Sequence, residues 1–89
     1  MLLSRGGKML EKTNLYNSEI FEDALIKKTL QEVYISLEER GYNPVNQLVG
    51  YFISGDPGYI SSYQDARGKI SELDRSKVLI TVLKDYLDK

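Results

Sequence analysis

The chain has 89 residues, with 12 lysines and arginines against 13 acids, no histidine and no cysteine. That length supports a single domain, and the composition excludes a disulfide framework, a thiolate metal site and the side chain most used as a general base near neutral pH. A net charge of −1 argues against a general affinity for nucleic acid or anionic membrane.

Residues 1–17 read as a flexible, mildly basic tail, in which Gly6 and Gly7 disfavour any regular element. Either Met1 or Met9 can serve as the start. The leading apolar run is too short for a signal peptide and nothing later is long enough to span a bilayer, so a cytoplasmic protein without membrane insertion is expected. Residues 18–89 form the expected domain. Asn17 or Ser18 caps a first helix, with Glu19, Glu22 and Asp23 placed to favour its dipole. The helix runs to about Arg40. Its apolar stripe is Phe21, Leu25 or Ile26, Leu30, Val33, Tyr34 and Leu37, at steps of three and four.

Residues 40–65 then hold both prolines, four of the seven glycines and four of the seven tyrosines. Gly41 stops the first helix, and Asn43-Pro44 is an N-cap followed by proline at the first helical position. Val45, Leu48, Val49 and Phe52 mark one face of a second helix, which Gly55 closes. No charge lies between Gly41 and Asp56, so this helix is expected to be covered on several sides. Asp56-Pro57 repeats the cap signal over a single turn ending near Ile60. Ser61 or Ser62 caps a third helix with Tyr63, Ala66, Ile70 and Leu73 on one face, weakened by Gly68. Asp74 caps a fourth, with Val78, Leu79, Val82, Leu83, Tyr86 and Leu87 as its apolar set; the β-branched run in it offers a strand only as a local alternative. The expected class is all-α, a small domain of about four helices. With so small a core, dimerisation would help.

Chemistry is sparse. Asp56 reads as a helix cap rather than an acid, and Asp65 and Arg67 stand two apart on a helix, where they do not face each other. Residues 54–58 share glycines with a phosphate loop but lack its Gly-Lys-Ser/Thr ending and its strand. No catalytic residue, metal site or cofactor is assigned. The tyrosines at apolar or turn positions read as core or interface aromatics. A helix-turn-helix with residues 63–73 as reader offers Gln64, Arg67 and Lys69 to DNA, but Asp65 and Glu72 oppose the phosphates. Thr13, in the tail, is accessible to a kinase, and a phosphate there would add about −1.5 to −2 charge.

The stretch L-E-E-R-G-Y-N-P-V-N-Q-L-V-G-Y-F-I-S-G-D-P-G-Y-I at 37–60, followed by D-A-R at 65–67, resembles the IreB family of small regulatory phosphoproteins of Gram-positive bacteria. The residues carrying the likeness include Tyr42, Asn43, Pro44, Gln47, Gly50, Gly55, Asp56 and Pro57, and it covers about residues 30–87. The resemblance implies a helical homodimer without enzymatic activity. It implies a substrate of the Ser/Thr kinase with extracellular PASTA repeats, reversed by the cognate phosphatase, that tunes peptidoglycan synthesis and cell-wall antibiotic tolerance. In some members that tuning runs through Clp-dependent turnover of the first committed enzyme of the pathway. The family's tail phosphosite maps onto Thr13 in Thr13-Asn14-Leu15-Tyr16-Asn17, where Asn17 replaces the usual acid. Arg67 and Arg75 match a basic face implied to bind partners, with Tyr59 and Asp65 beside it, whereas Ser62 and Ser71 stand where arginines are usual. A constitutive helical scaffold or DNA-binding dimer is the alternative.

Overall fold

A computed structural model describes the backbone of residues 2–88 and the side chains of residues 19–88. Every regular element among the described residues is helical: α1 (Leu2–Glu39), α2 (Pro44–Ser54), a 3-10 turn (Pro57–Tyr59), a second 3-10 turn (Tyr63–Asp65), α3 (Ala66–Ser71) and α4 (Arg75–Leu87). The all-α expectation holds, and the β-branched run at the start of α4 is helix. α1 begins well ahead of the cap expected at Asn17 or Ser18. Both residues are tolerated inside a helix, and a cap signal is permissive rather than obligatory. The expected tail and its phosphosite Thr13 lie outside the residues whose side chains are described.

The boundaries around α2 follow the local chemistry closely. α1 ends where the Gly41 N–H donates to Glu38 O at 3.0 Å and the Tyr42 N–H to Leu37 O at 2.9 Å, the paired bonds of a Schellman stop. Asn43 is extended and its side chain accepts from the Asn46 N–H, with Pro44 opening the helix. Gly55 closes α2 at φ 75°, its N–H donating to Tyr51 O at 2.7 Å. Asp56 caps the next turn through the Gly58 N–H, and Asp74 caps α4 through the N–H groups of Ser76 and Lys77.

The main core joins three helices. Val33 and Leu37 of α1, Tyr51 of α2, Ile60 of the connecting loop, and Ala66 and Ile70 of α3 form one buried cluster, with Leu30, Leu48 and Phe52 packed at its edge. The buried face of α1 is turned from the expected stripe: Thr29 and Ser36 are buried with Ile26, Val33 and Leu37, whereas Phe21, Leu25 and Tyr34 are exposed. A small hydroxyl at position 36 lets another segment of backbone approach α1 and take a hydrogen bond, which a large apolar side chain would prevent. α4 buries only Val78 and Thr81, and Leu79, Val82, Leu83, Tyr86 and Leu87 remain exposed.

The apolar α2 is not covered on several sides. Tyr51 faces the core, but Val45, Val49 and Ile53 face outward, Ile53 at 80% exposure. Uncharged sequence alone does not report which neighbour covers a helix, and here this chain supplies only one side. Of the tyrosines expected in the core or an interface, only Tyr51 is buried; Tyr34, Tyr42, Tyr59, Tyr63 and Tyr86 are exposed.

Candidate functional site

The motif residues of 42–67 converge on the loop that joins α2 to α3, and most of their polar atoms point at backbone. Gln47 Nε2 donates to Tyr59 O at 2.9 Å, which draws the 3-10 turn back onto α2. That approach depends on Gly50: a Cβ there would collide with the Tyr59 ring. Tyr59 is thus a packing residue of the loop, its ring against α2 at Gly50 and partly at the surface.

The two arginines expected to meet partners also grip carbonyls. Gly55 ends α2 with a single N–H bond to Tyr51, a geometry that leaves the Phe52 carbonyl without a helical partner. Arg75, from the first turn of α4, fills that place, its Nη1 donating to Phe52 O at 2.9 Å. The guanidinium lies so close over Gly55 that a Cβ there would sit 2.8 Å from Nη2. Arg67 does the same one turn further on. Its Nε donates to Ile60 O at 2.9 Å and its backbone N–H to Ser61 O at 3.0 Å. Neither arginine pairs with a carboxylate among the described residues; the ion pairs there all use lysines.

Asp65 sits at the mouth of α3 with its carboxylate against Gly68 and makes no capping bond. It and Gln64 adopt left-handed backbone, φ 60° and 53°. The third helix expected over residues 63–73 is therefore broken, and only Ala66–Ser71 is α-helical. Each left-handed residue other than glycine costs about 1–2 kcal/mol. Set against that, Ser36 Oγ donates to Tyr63 O at 3.0 Å and the Arg40 guanidinium lies 5.3 Å from the centre of the Tyr63 ring. A neutral hydrogen bond contributes about 0.5–1.5 kcal/mol and an exposed cation–π contact about 0.5–1 kcal/mol. A reading helix of six residues, entered through such a kink, lacks the length that a helix-turn-helix presents to a groove, so that part of the alternative reading is corrected.

The surface left free for contact lies elsewhere. Leu30, Tyr34 and Ile35 of α1, Leu48 and Phe52 of α2, and Val82 of α4 line an open apolar groove of about 640 Å³. Beside it runs the outward ridge of Val45, Val49 and Ile53. The sequence places most of these residues on the apolar faces of its helices. The one signal pointing outward was that α2 has no charge to mark a solvent face.

A family model, that of the IreB regulatory phosphoproteins, matches residues 11–88. The chain belongs to the IreB family. The match spans every element from the middle of α1 to the end of α4, and it includes the position of Thr13. Within the IreB chain the motif that carries the likeness is foremost a set of helix caps and carbonyl grips: Tyr42 and Asn43 end one helix and begin another, Gln47 and Gly50 seat Tyr59, Gly55 and Asp56-Pro57 turn the chain, and Arg67 and Arg75 hold the turn. Family membership makes the role of the protein a regulatory one. Among the described residues there is no group of three or more side chains suited to hold a metal, and no helix is long and apolar enough to cross a membrane.

Proposed function

We propose that this IreB protein is a non-enzymatic, cytoplasmic adaptor. It is phosphorylated on Thr13 by a PASTA-type Ser/Thr kinase, returned by the cognate phosphatase, and regulates peptidoglycan synthesis and cell-wall antibiotic tolerance through protein–protein contacts. The observation that carries this reading is the family match over residues 11–88, which takes in Thr13 as well as the folded helices. A phosphate there adds two negative charges at most, so it acts by changing which surface the segment ahead of the domain can touch. Partners include regulators linked to Clp-dependent turnover of the first enzyme of the pathway.

The working form is a homodimer. The ridge of Val45, Val49 and Ile53 lies beside the groove lined by Leu48 and Phe52, so one face carries both a projection and a recess. A two-fold axis lets the ridge of each copy enter the groove of the other. Tyr51 is buried in its own protomer and takes no part, whereas Phe52 and the exposed residues of α4 are available.

Intact mass of the protein from its native host, with and without phosphatase, tests the switch: one removable phosphate mapped to Thr13 is expected. A Thr13→Ala strain with unaltered cell-wall antibiotic tolerance would instead leave a constitutive scaffold. For the dimer, Val49→Lys and Leu83→Lys should each shift sedimentation toward the monomer; dimers that persist in both place the interface on another face.

A further inference from the structure

The break ahead of α3 is at odds with its own sequence. Ser61-Ser62-Tyr63-Gln64-Asp65-Ala66 has two serines suited to cap a helix and no glycine or proline, yet Gln64 and Asp65 stand in consecutive left-handed conformations. Neither serine caps α3; Ser61 Oγ instead accepts from the Tyr63 N–H at 3.0 Å. The segment is stretched between two buried anchors, Ile60 and Ala66. Across its apex it is tied to α1 by Ser36 Oγ, which reaches Tyr63 O, and by Arg40, which lies over the Tyr63 ring. Ser36 is 1% exposed and is the buried polar residue that this tie accounts for. The cost of the two left-handed residues is offset by the two ties together with the bonds from the Asp65 N–H to Ser62 O and from the Arg67 N–H to Ser61 O. Two arrangements of the segment therefore lie close in free energy, the condition under which both are populated.

We propose that residues 61–65 form a two-state strap. In one state Gln64 and Asp65 are left-handed and the strap is clamped to α1 by Ser36 and Arg40. In the other it joins α3 as an added first turn capped by Ser61 or Ser62, with Tyr63 withdrawn and Arg40 released at the end of α1. The device is separate from phosphorylation of Thr13. Its output is the release of the Arg40 guanidinium from the Tyr63 ring and the length of α3, so a partner that engages either one draws the strap toward its released form.

Backbone nuclear magnetic resonance on the full chain tests this. Millisecond exchange is expected at residues 61–67 and not along α2. The double change Gln64→Gly with Asp65→Gly removes the left-handed cost, and should abolish the exchange and raise Tm by roughly 4 °C or more. Ser36→Ala removes the tie, and should lower the HN–Hα couplings of Gln64 and Asp65 from left-handed toward right-handed helical values. Arg40→Ala, at an exposed position, should move them in the same direction if Ser36→Ala does not fold. Absence of exchange in the unaltered chain, together with couplings that stay left-handed in the variant that folds, overturns the proposal. So does a fall in Tm for the double glycine variant, which would mean that the left-handed pair carries no strain.

Discussion

At one end of the molecule α1, α2 and α3 meet over Val33, Leu37, Tyr51, Ile60, Ala66 and Ile70, and side chains from four places in the chain reach across to hold carbonyls of the connecting segments and of the last turn of α2. At the other end α4 lies on α1 over Ile26, Val78 and Thr81, and what surrounds that contact is polar: Lys27 to Asp85 at 3.5 Å, Lys77 to Glu22 at 3.4 Å, and Thr81 Oγ1 donating to Asp23 Oδ1 at 3.1 Å. Both ends are made of amphipathic helices. They differ in how much they bury: the first end closes six apolar residues into one cluster, although α2 keeps Val45, Val49 and Ile53 outside, whereas α4 keeps five of its six expected apolar residues exposed. A helix that buries so little of its own apolar surface is stable when a neighbour covers the rest. The closed end is the self-contained part of the fold, and the α4 side, with the groove and the ridge of α2, carries the apolar surface that this chain leaves uncovered.

That contrast can be broken by substitution. Leu37→Ala should cost about 2–5 kcal/mol in urea unfolding, whereas Val78→Ala, which deletes less and can relax toward solvent, should cost about 1–2 kcal/mol. Equal losses would mean that the two ends are one core. Gly50→Ala should destabilise by about 1–3 kcal/mol because the methyl group must displace the Tyr59 ring; in combination with Tyr59→Ala most of the added cost should vanish, a coupling that a double-mutant cycle reads directly. Arg75→Ala leaves the Phe52 carbonyl to water and should cost about 1 kcal/mol. Arg75→Lys should not fully restore it, because an ammonium lacks the planar fork that lies over Gly55. The smallest effect belongs to the rim. Asp85→Asn should change stability by no more than about 0.5 kcal/mol, and less at high salt, since both partners of that pair are more than half exposed. Amide exchange checks the whole ordering, with α4 expected to exchange faster than α2 and α3.

The parts of this fold that are legible in the sequence are those fixed by local backbone chemistry. Gly41, Asn43-Pro44, Gly55, Asp56-Pro57 and Asp74 each name a helix boundary, and the structure places a boundary at each, because a missing N–H or a side-chain acceptor decides the matter within a few residues. What could not be read depends on contacts far along the chain. Ser36 is buried where it serves a carbonyl 27 residues away, and the third helix breaks right after Tyr63, the residue which that contact holds. Arg67 and Arg75 read in sequence as charges on a surface, and nothing in their neighbourhood along the chain discloses that their donors face carbonyls. The outward ridge of α2 was hidden for a different reason. Hydrophobic periodicity marks a face that wants covering, and it is silent on whether the cover comes from the same chain.

The contact between Gly50 and Tyr59 makes two letters of the sequence into one heritable unit. A larger residue at position 50 must displace the ring at 59 and weakens the fold, and once the ring is lost a glycine in the middle of a helix has no packing reason to stay. Drift by single changes must therefore pass through a weakened intermediate in either direction, so this pair tends to persist or to be lost together.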